Sequence, residues 1–198
     1  MSPKKFDWQE REHIRTGMLE AGYQLIREYG MTHTSVEKVA EAVGLGKGTF
    51  YNFFPSKEYF VYEIIRYMRF QLMEKFEQLL NGRDKLPPTQ AKAFLKQIIF
   101  SDRSMYKYLT PEDKEKLSKA LPPEYFLDAQ RETAVMDDLF RRMEGIRPHI
   151  NLHLVGNLLK MMAFAQINRK ELHADALRET LDKMFQLLFS CIFEDHTI

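Results

Sequence analysis

Cysteine is nearly absent from the 198 residues: Cys191 is the single thiol. One thiol cannot close an internal disulfide, and such sparse use fits a reducing compartment. No stretch approaches the ~18 uninterrupted apolar residues that suggest a membrane span. The opening MSPKKFDWQE lacks the apolar core of a signal peptide. These absences predict a soluble, cytoplasmic protein. There is no internal repeat and no low-complexity tract. G-x-S-x-G, a Gly-rich phosphate loop and a Cys cluster at metal-binding spacing are all missing, so neither an enzyme, a cofactor nor a metal is expected. Charge of one sign is lacking too. Net charge is +1, and the first 60 residues carry eight basic and eight acidic side chains. A non-specific polycation is thereby excluded, and any affinity for nucleic acid must come from where charges sit.

What the chain does have is 44% hydrophobic and 13% aromatic residues, enough for a sizeable core. The most informative stretch is TSVEKVAEAVGLGKGTFYNFFPSKEYF, Thr34 to Phe60. Thr34 and Glu37 have the spacing of a capping box. Val36, Val39, Ala40 and Val43 recur at helical steps. Gly44 suits a left-handed helix end, Leu45 an apolar plug, and Gly46 the start of a second helix over about Lys47 to Phe53. At ~100° per residue, Phe50, Phe53 and Phe54 share an inward arc. Gly48, Tyr51 and Asn52 face the other way, flanked by Lys47 and Thr49. Such a face suits the major groove: Asn pairs with adenine, Thr touches a thymine methyl, and Gly permits close approach. After Pro55, Ser56 caps a further helix whose first amides, with Lys57, can hold a phosphate.

Along its whole length this stretch resembles the DNA-binding signature of the tetracycline-repressor (TetR) family, and the likeness covers about Ile14 to Phe60. The resemblance implies an all-α homodimer that represses promoters and leaves DNA when a small molecule binds its C-terminal domain. By position it implies phosphate contacts from Thr34, Tyr51 and Lys57, and base-facing roles for Gly48, Thr49 and Asn52. Gly46 departs from the pattern, since a capping Ser or Thr is usual there. Beyond about Phe70 the likeness is architectural.

The remaining chain reads as helices. The first carries Ile14, Met18, Ala21, Leu25, Ile26 and Tyr29 on one face and ends at Gly30. A long helix over 56–80 links residues 1–54, the helix-turn-helix domain, to residues 55–198, the effector-binding and dimerisation domain. Further helices are expected over Thr89–Phe100 (with Ala93, Phe94, Gln97 and Ile98 inward), from Thr110, over Tyr125–Glu144, over His149–Ile167 and over Ala174–Phe193. The last two are so apolar that a two-fold four-helix interface is expected, with Leu158, Met162, Leu181, Met184, Leu188 and Ile192 at its contact. Methionine and aromatic side chains suit an adaptable apolar pocket. Met68, Met73, Phe94, Tyr106, Phe126, Met136, Phe140, Met161 and Phe164 are its candidate lining, for a small hydrophobic effector.

Rival readings of single residues are weaker. His149 and His153 have the i, i+4 spacing of paired ligands, but no Cys or carboxylate set accompanies them. Cys191 lies among apolar neighbours, which favours a structural thiol over a redox sensor. Asp137-Asp138 and Glu112-Asp113 point about 100° apart on a helix and do not converge on one atom. The sequence therefore predicts a DNA-binding regulator with double-stranded DNA, an effector and a second copy as partners. The alternative is a helical ligand carrier or enzyme with a vestigial DNA-binding motif.

Overall fold

The computed structural model describes residues 7–100, 107–125 and 129–194. Among these, nine α-helices follow one another: α1 (Trp8–His33), α2 (Val36–Ala42), α3 (Lys47–Phe50), α4 (Lys57–Leu80), α5 (Pro88–Phe100), α6 (Pro111–Ala120), α7 (Ala129–Arg141), α8 (Leu152–Ile167) and α9 (Leu177–Ile192). The all-α expectation holds; between described residues only two isolated β-bridges form, Leu86 with Met143 and Ile146 with Phe193. No described helix is long and apolar enough to cross a membrane.

The chain folds as two compact units. One comprises Met1–Gln71 and Arg103–Phe126, the other Leu72–Asp102 and Leu127–Ile198. α4 runs through the boundary as one helix.

In the first unit, α1 begins at a capping box in which Asp7 accepts from the Glu10 amide and Glu10 accepts from the Asp7 amide. Gly30 breaks the helix at φ +80. One face of α1 buries Met18, Leu19, Tyr23 and Ile26. Across from it lie Val39 and Ala40 of α2, Phe50 and Phe54, and Phe60, Val61 and Ile64 of α4, all in one cluster. The segment around α6 joins this unit, which the sequence does not suggest. Leu109, Leu117 and Leu121 enter the same cluster, and Tyr108 meets Tyr23 edge-on at 6.3 Å. The helix starts as expected, with Thr110 as cap and Pro111 in its first turn. Asp113, buried, accepts from the Thr110 amide at 3.1 Å and from the Thr32 hydroxyl at 3.2 Å.

The second unit packs Phe76 and Leu80 with Ala91, Phe94 and Leu95 of α5, Phe140 and Met143, Val155, Leu158 and Met162 of α8, and Phe185, Leu188 and Ile192 of α9. Short tethers lock its loops: Leu86 donates to Arg142 O and Glu144 donates to Leu86 O, each at 2.9 Å. The Arg142 guanidinium also meets the Glu77 carboxylate at 2.6 and 2.8 Å. The buried side of α5 is Ala91, Phe94 and Leu95, while Ala93 and Gln97 are exposed. The start at Pro88 and the i, i+3, i+4 set from Ala91 explain that rotation. α8 begins at the Asn151 cap, so His149 lies outside it at φ +60. The helical i, i+4 premise for a His149–His153 ligand pair therefore fails.

Candidate nucleic-acid interface

α2 and α3 owe their mutual angle to the turn between them. Gly44 adopts φ +74, a conformation costly for residues with a Cβ, and the Leu45 amide returns to Ala40 O at 2.9 Å. The cap of α2 differs from expectation. Ser35, not Thr34, is the N-cap, its Oγ accepting from the Lys38 amide at 3.2 Å. Thr34 is only 2% exposed. Its hydroxyl donates to Gly30 O at 2.9 Å and its amide to Met31 O at 3.3 Å, closing the end of α1. Two hydroxyl residues stood side by side, and the inner one was taken by the preceding helix. Thr34, expected at a phosphate, is thus turned inward and engaged with the end of α1.

α3 is shorter than the expected Lys47–Phe53. α-Helical geometry covers Lys47–Phe50, and the chain then tightens through i→i−3 bonds from the amides of Asn52 and Phe53. Gly46 caps without a side-chain bond, and Pro55 forbids continuation. Three rings fix the inner side. Phe50 lies 5.4 Å from Phe54 and 5.1 Å from Phe60, and Phe54 lies 4.8 Å from Phe60. All three are buried.

The outer side is open. Lys47, Gly48, Tyr51 and Asn52 are exposed and Thr49 is half-buried. A Cβ placed on Gly48 would meet nothing within 4 Å, so its lack of a side chain leaves clearance for whatever approaches. Tyr51 is 49% exposed, its ring edge-on to Phe50 at 5.4 Å. Arg11, which the sequence did not single out, anchors the C-terminal end of α3. It donates to Asn52 O at 2.6 Å, with its guanidinium 4.6 Å from the Phe53 ring centre.

The lysines of this face are engaged. Lys47 pairs with Glu37 in the first turn of α2. The hydrogen bond between them holds the Glu37 carboxyl below the usual carboxylate range and the Lys47 ammonium above its ordinary value. Lys38 sits over the Tyr29 ring at 5.2 Å. Lys57 donates to Thr32 O at 3.5 Å, and partial burial lowers its affinity for a proton. Ser56 accepts from the Tyr59 amide at 3.0 Å, capping α4 as the sequence predicts.

The expected pocket residues are divided: among the described ones, four share one core and the others lie elsewhere. Met68 belongs to the core of the first unit and Met73, Phe94, Met136 and Phe140 to that of the second. Met161 and Phe164 are 59% and 68% exposed, because they lie on the outer arc of α8. Tyr106 and Phe126 fall outside the described residues. The second unit does carry an open surface cleft of about 450 Å³ lined by Lys96, Phe100, Ala174, Leu177, Arg178, Leu181 and Asp182. Of the expected dimer contacts, Leu181 and Met184 are half-buried, but Leu158, Met162, Leu188 and Ile192 are buried within the subunit. They form the inward stripe of their own helices. The large apolar residues left outside are Leu154, Met161, Phe164 and Ile167 on α8 and Leu187 on α9.

Residues 18–64 match the model of the family "Bacterial regulatory proteins, tetR family". The chain is 32% identical over 90 residues to the HTH-type transcriptional repressor KstR2 of Rhodococcus jostii (strain RHA1), an alignment covering 45% of this chain and 44% of that protein. The chain thus spans less than half the length of this curated relative. In fold it is similar to reduced NemR of E. coli, at a TM-score of 0.59 and 17% identity over 93% of this chain and 100% of that one. It is also similar to the fatty acid degradation regulator FadR of Bacillus halodurans, at 0.55 and 18% over 93% and 96%.

Proposed function

We propose that this chain, which belongs to the tetR family of bacterial regulatory proteins through its N-terminal domain, represses transcription as a cytoplasmic homodimer that occupies promoter DNA. The observation that carries this reading is the outward face of α3. Gly48, Thr49, Tyr51 and Asn52 are presented on a segment whose inner side is clamped by Phe50, Phe54 and Phe60. A rigid element with an adaptable polar face is what base readout requires. Thr49 and Asn52 meet base edges, Gly48 allows the approach, and Tyr51, Lys47 and Lys57 contact the backbone. Repressor names among similar proteins support the sign of the effect.

Two copies are needed because one α3 reads only a half-site. A two-fold pair places two such elements about one helical turn, ~34 Å, apart. The exposed apolar stripe of α8 with Leu187 of α9 supplies the self-complementary face. We assign residues 1–54 to DNA binding and 55–198 to effector binding and dimerisation, with release by a small, largely hydrophobic molecule. The open cleft beside Phe100, Leu177 and Leu181 is the place in the second unit where such a molecule would sit. No catalytic role is assigned.

Selection of bound duplexes from a random pool, followed by binding of the winner across a salt series, tests this. A two-fold symmetric winner bound tightly and with salt dependence is expected. A folded, dimeric protein that enriches no sequence overturns it.

A further inference from the structure

Glu37 stands out on the proposed DNA-binding face because it is an acid in direct contact with a cation of that face. From Ser35 to Lys57 the carboxylates are Glu37 and Glu41 and the lysines are Lys38, Lys47 and Lys57. Lys38 is held by a ring and Lys57 by a carbonyl. Lys47, at the first turn of α3, is held by a full opposing charge. Both members of this pair are substantially exposed, with 54% and 43% of their side chains accessible. The contact is therefore not core structure, and it stands where the DNA backbone would approach.

Resting on the DNA-binding reading above, we propose that Glu37 acts as an internal phosphate mimic, occupying Lys47 and so holding down the protein's affinity for DNA. A phosphate oxygen and a carboxylate oxygen make the same charge-assisted bond to an ammonium. When DNA approaches there are two outcomes. If Lys47 stays on Glu37, one phosphate contact is forfeited and a carboxylate faces the polyanion. If Lys47 moves to a phosphate, the intramolecular pair is lost and Glu37 is left beside the backbone. Both outcomes weaken binding, and removing the carboxylate relieves either one. The near-balanced charge of the N-terminal segment makes one such contact a large share of the electrostatic attraction.

The test compares the wild type, Glu37→Gln, Lys47→Gln and the double variant. Each is titrated with the selected duplex and with a scrambled duplex of equal length across a salt series. Thermal unfolding of the four proteins confirms that they are folded. Glu37→Gln is expected to tighten binding several-fold on both duplexes. On the scrambled duplex the slope of log affinity against log salt should steepen by about 0.9, the increment for one added phosphate contact, if Lys47 stays on Glu37 in the wild-type complex. It should stay unchanged if Lys47 already moves to a phosphate. In the Lys47→Gln background the same change should give a clearly smaller gain and no added slope. An equal gain in both backgrounds overturns the proposal, since the carboxylate would then act on DNA by its charge alone. So does no gain with wild-type binding intact, and this leaves the DNA-binding reading standing. Failure of all four folded proteins to bind any duplex removes both.

Discussion

Gly22 shows how tightly a single residue can fix this fold. α1 and α4 meet there so closely that a Cβ on Gly22 would fall inside contact distance of the Phe60 ring and 3.0 Å from Ile64 Cδ1. Phe60 cannot step aside, because Phe50 and Phe54 pack against it at 5.1 and 4.8 Å and all three rings are buried. Gly22→Ala gains helix propensity but forces that ring cluster apart. The expected net loss is about 1–3 kcal/mol, the usual range for overpacking, read by urea unfolding. An unchanged or raised midpoint would show that the cluster yields. Because the same rings back α3, DNA affinity should fall with stability. Positions that impose a backbone conformation are legible from sequence in a way that Gly22 is not. Gly44 and Gly30 sit between periodic apolar runs and punctuate them, and both take positive φ. Gly22 lies mid-helix, where only the partner helix reveals the need. Thr34 and Ser35 show the opposite limit. Either hydroxyl can cap α2, and the choice depended on the end of α1, a tertiary fact.

At the scale of elements, the inward arc of α2, the Gly turn and the span of α4 could be read from period and punctuation alone. The face expected of α1 held Met18 and Ile26 but missed buried Leu19 and Tyr23 and took in Tyr29, which is 47% exposed. The length of α3 could not be read that way, since its tightened last turn answers to Pro55 and to the rings beneath it. Nor could the Arg11 tether, because its partner is a backbone carbonyl 41 residues away. Arg11 reaches the C-terminal end of α3 from a solvated position, so its loss should alter function more than stability. For Arg11→Ala the expected cost in unfolding free energy is about 1 kcal/mol or less, in line with an exposed cation–π contact. Affinity for the selected duplex should nonetheless drop several-fold, because Asn52 loses the group that fixes its carbonyl. Arg11→Lys keeps the charge but not the planar fork and should recover only part of the loss. If Arg11→Ala binds DNA like the wild type, α3 is held by its rings alone.

At the scale of the whole molecule, the proposed dimer would convert two short recognition elements into one specific reader. Periodicity marked α8 and α9 as too apolar for ordinary surface helices, but four of the six residues it gave to the partner, Leu158, Met162, Leu188 and Ile192, are buried within the subunit, while Leu181 and Met184 are half-buried. Val155, Leu158 and Met162 make the subunit's own core. Leu154, Met161 and Phe164, at i, i+7 and i+10, share the outer arc. Two apolar stripes on one helix cannot be ranked by sequence, since each has helical spacing, and only the positions of the other helices decide which is covered. Two substitutions separate the stripes. Leu158→Ala should destabilise the subunit by about 2–5 kcal/mol, as expected for a buried leucine. Phe164→Glu, on a side chain 68% exposed, should leave the fold of the subunit intact while placing two like charges at a self-complementary face. Sedimentation of Phe164→Glu should then show folded monomers at concentrations where the wild type is dimeric. Its affinity for the symmetric duplex should fall toward that for a single half-site, because each α3 then binds without its partner. A Phe164→Glu protein that remains dimeric and binds the full site normally would move the two-fold contact away from the outer arc of α8.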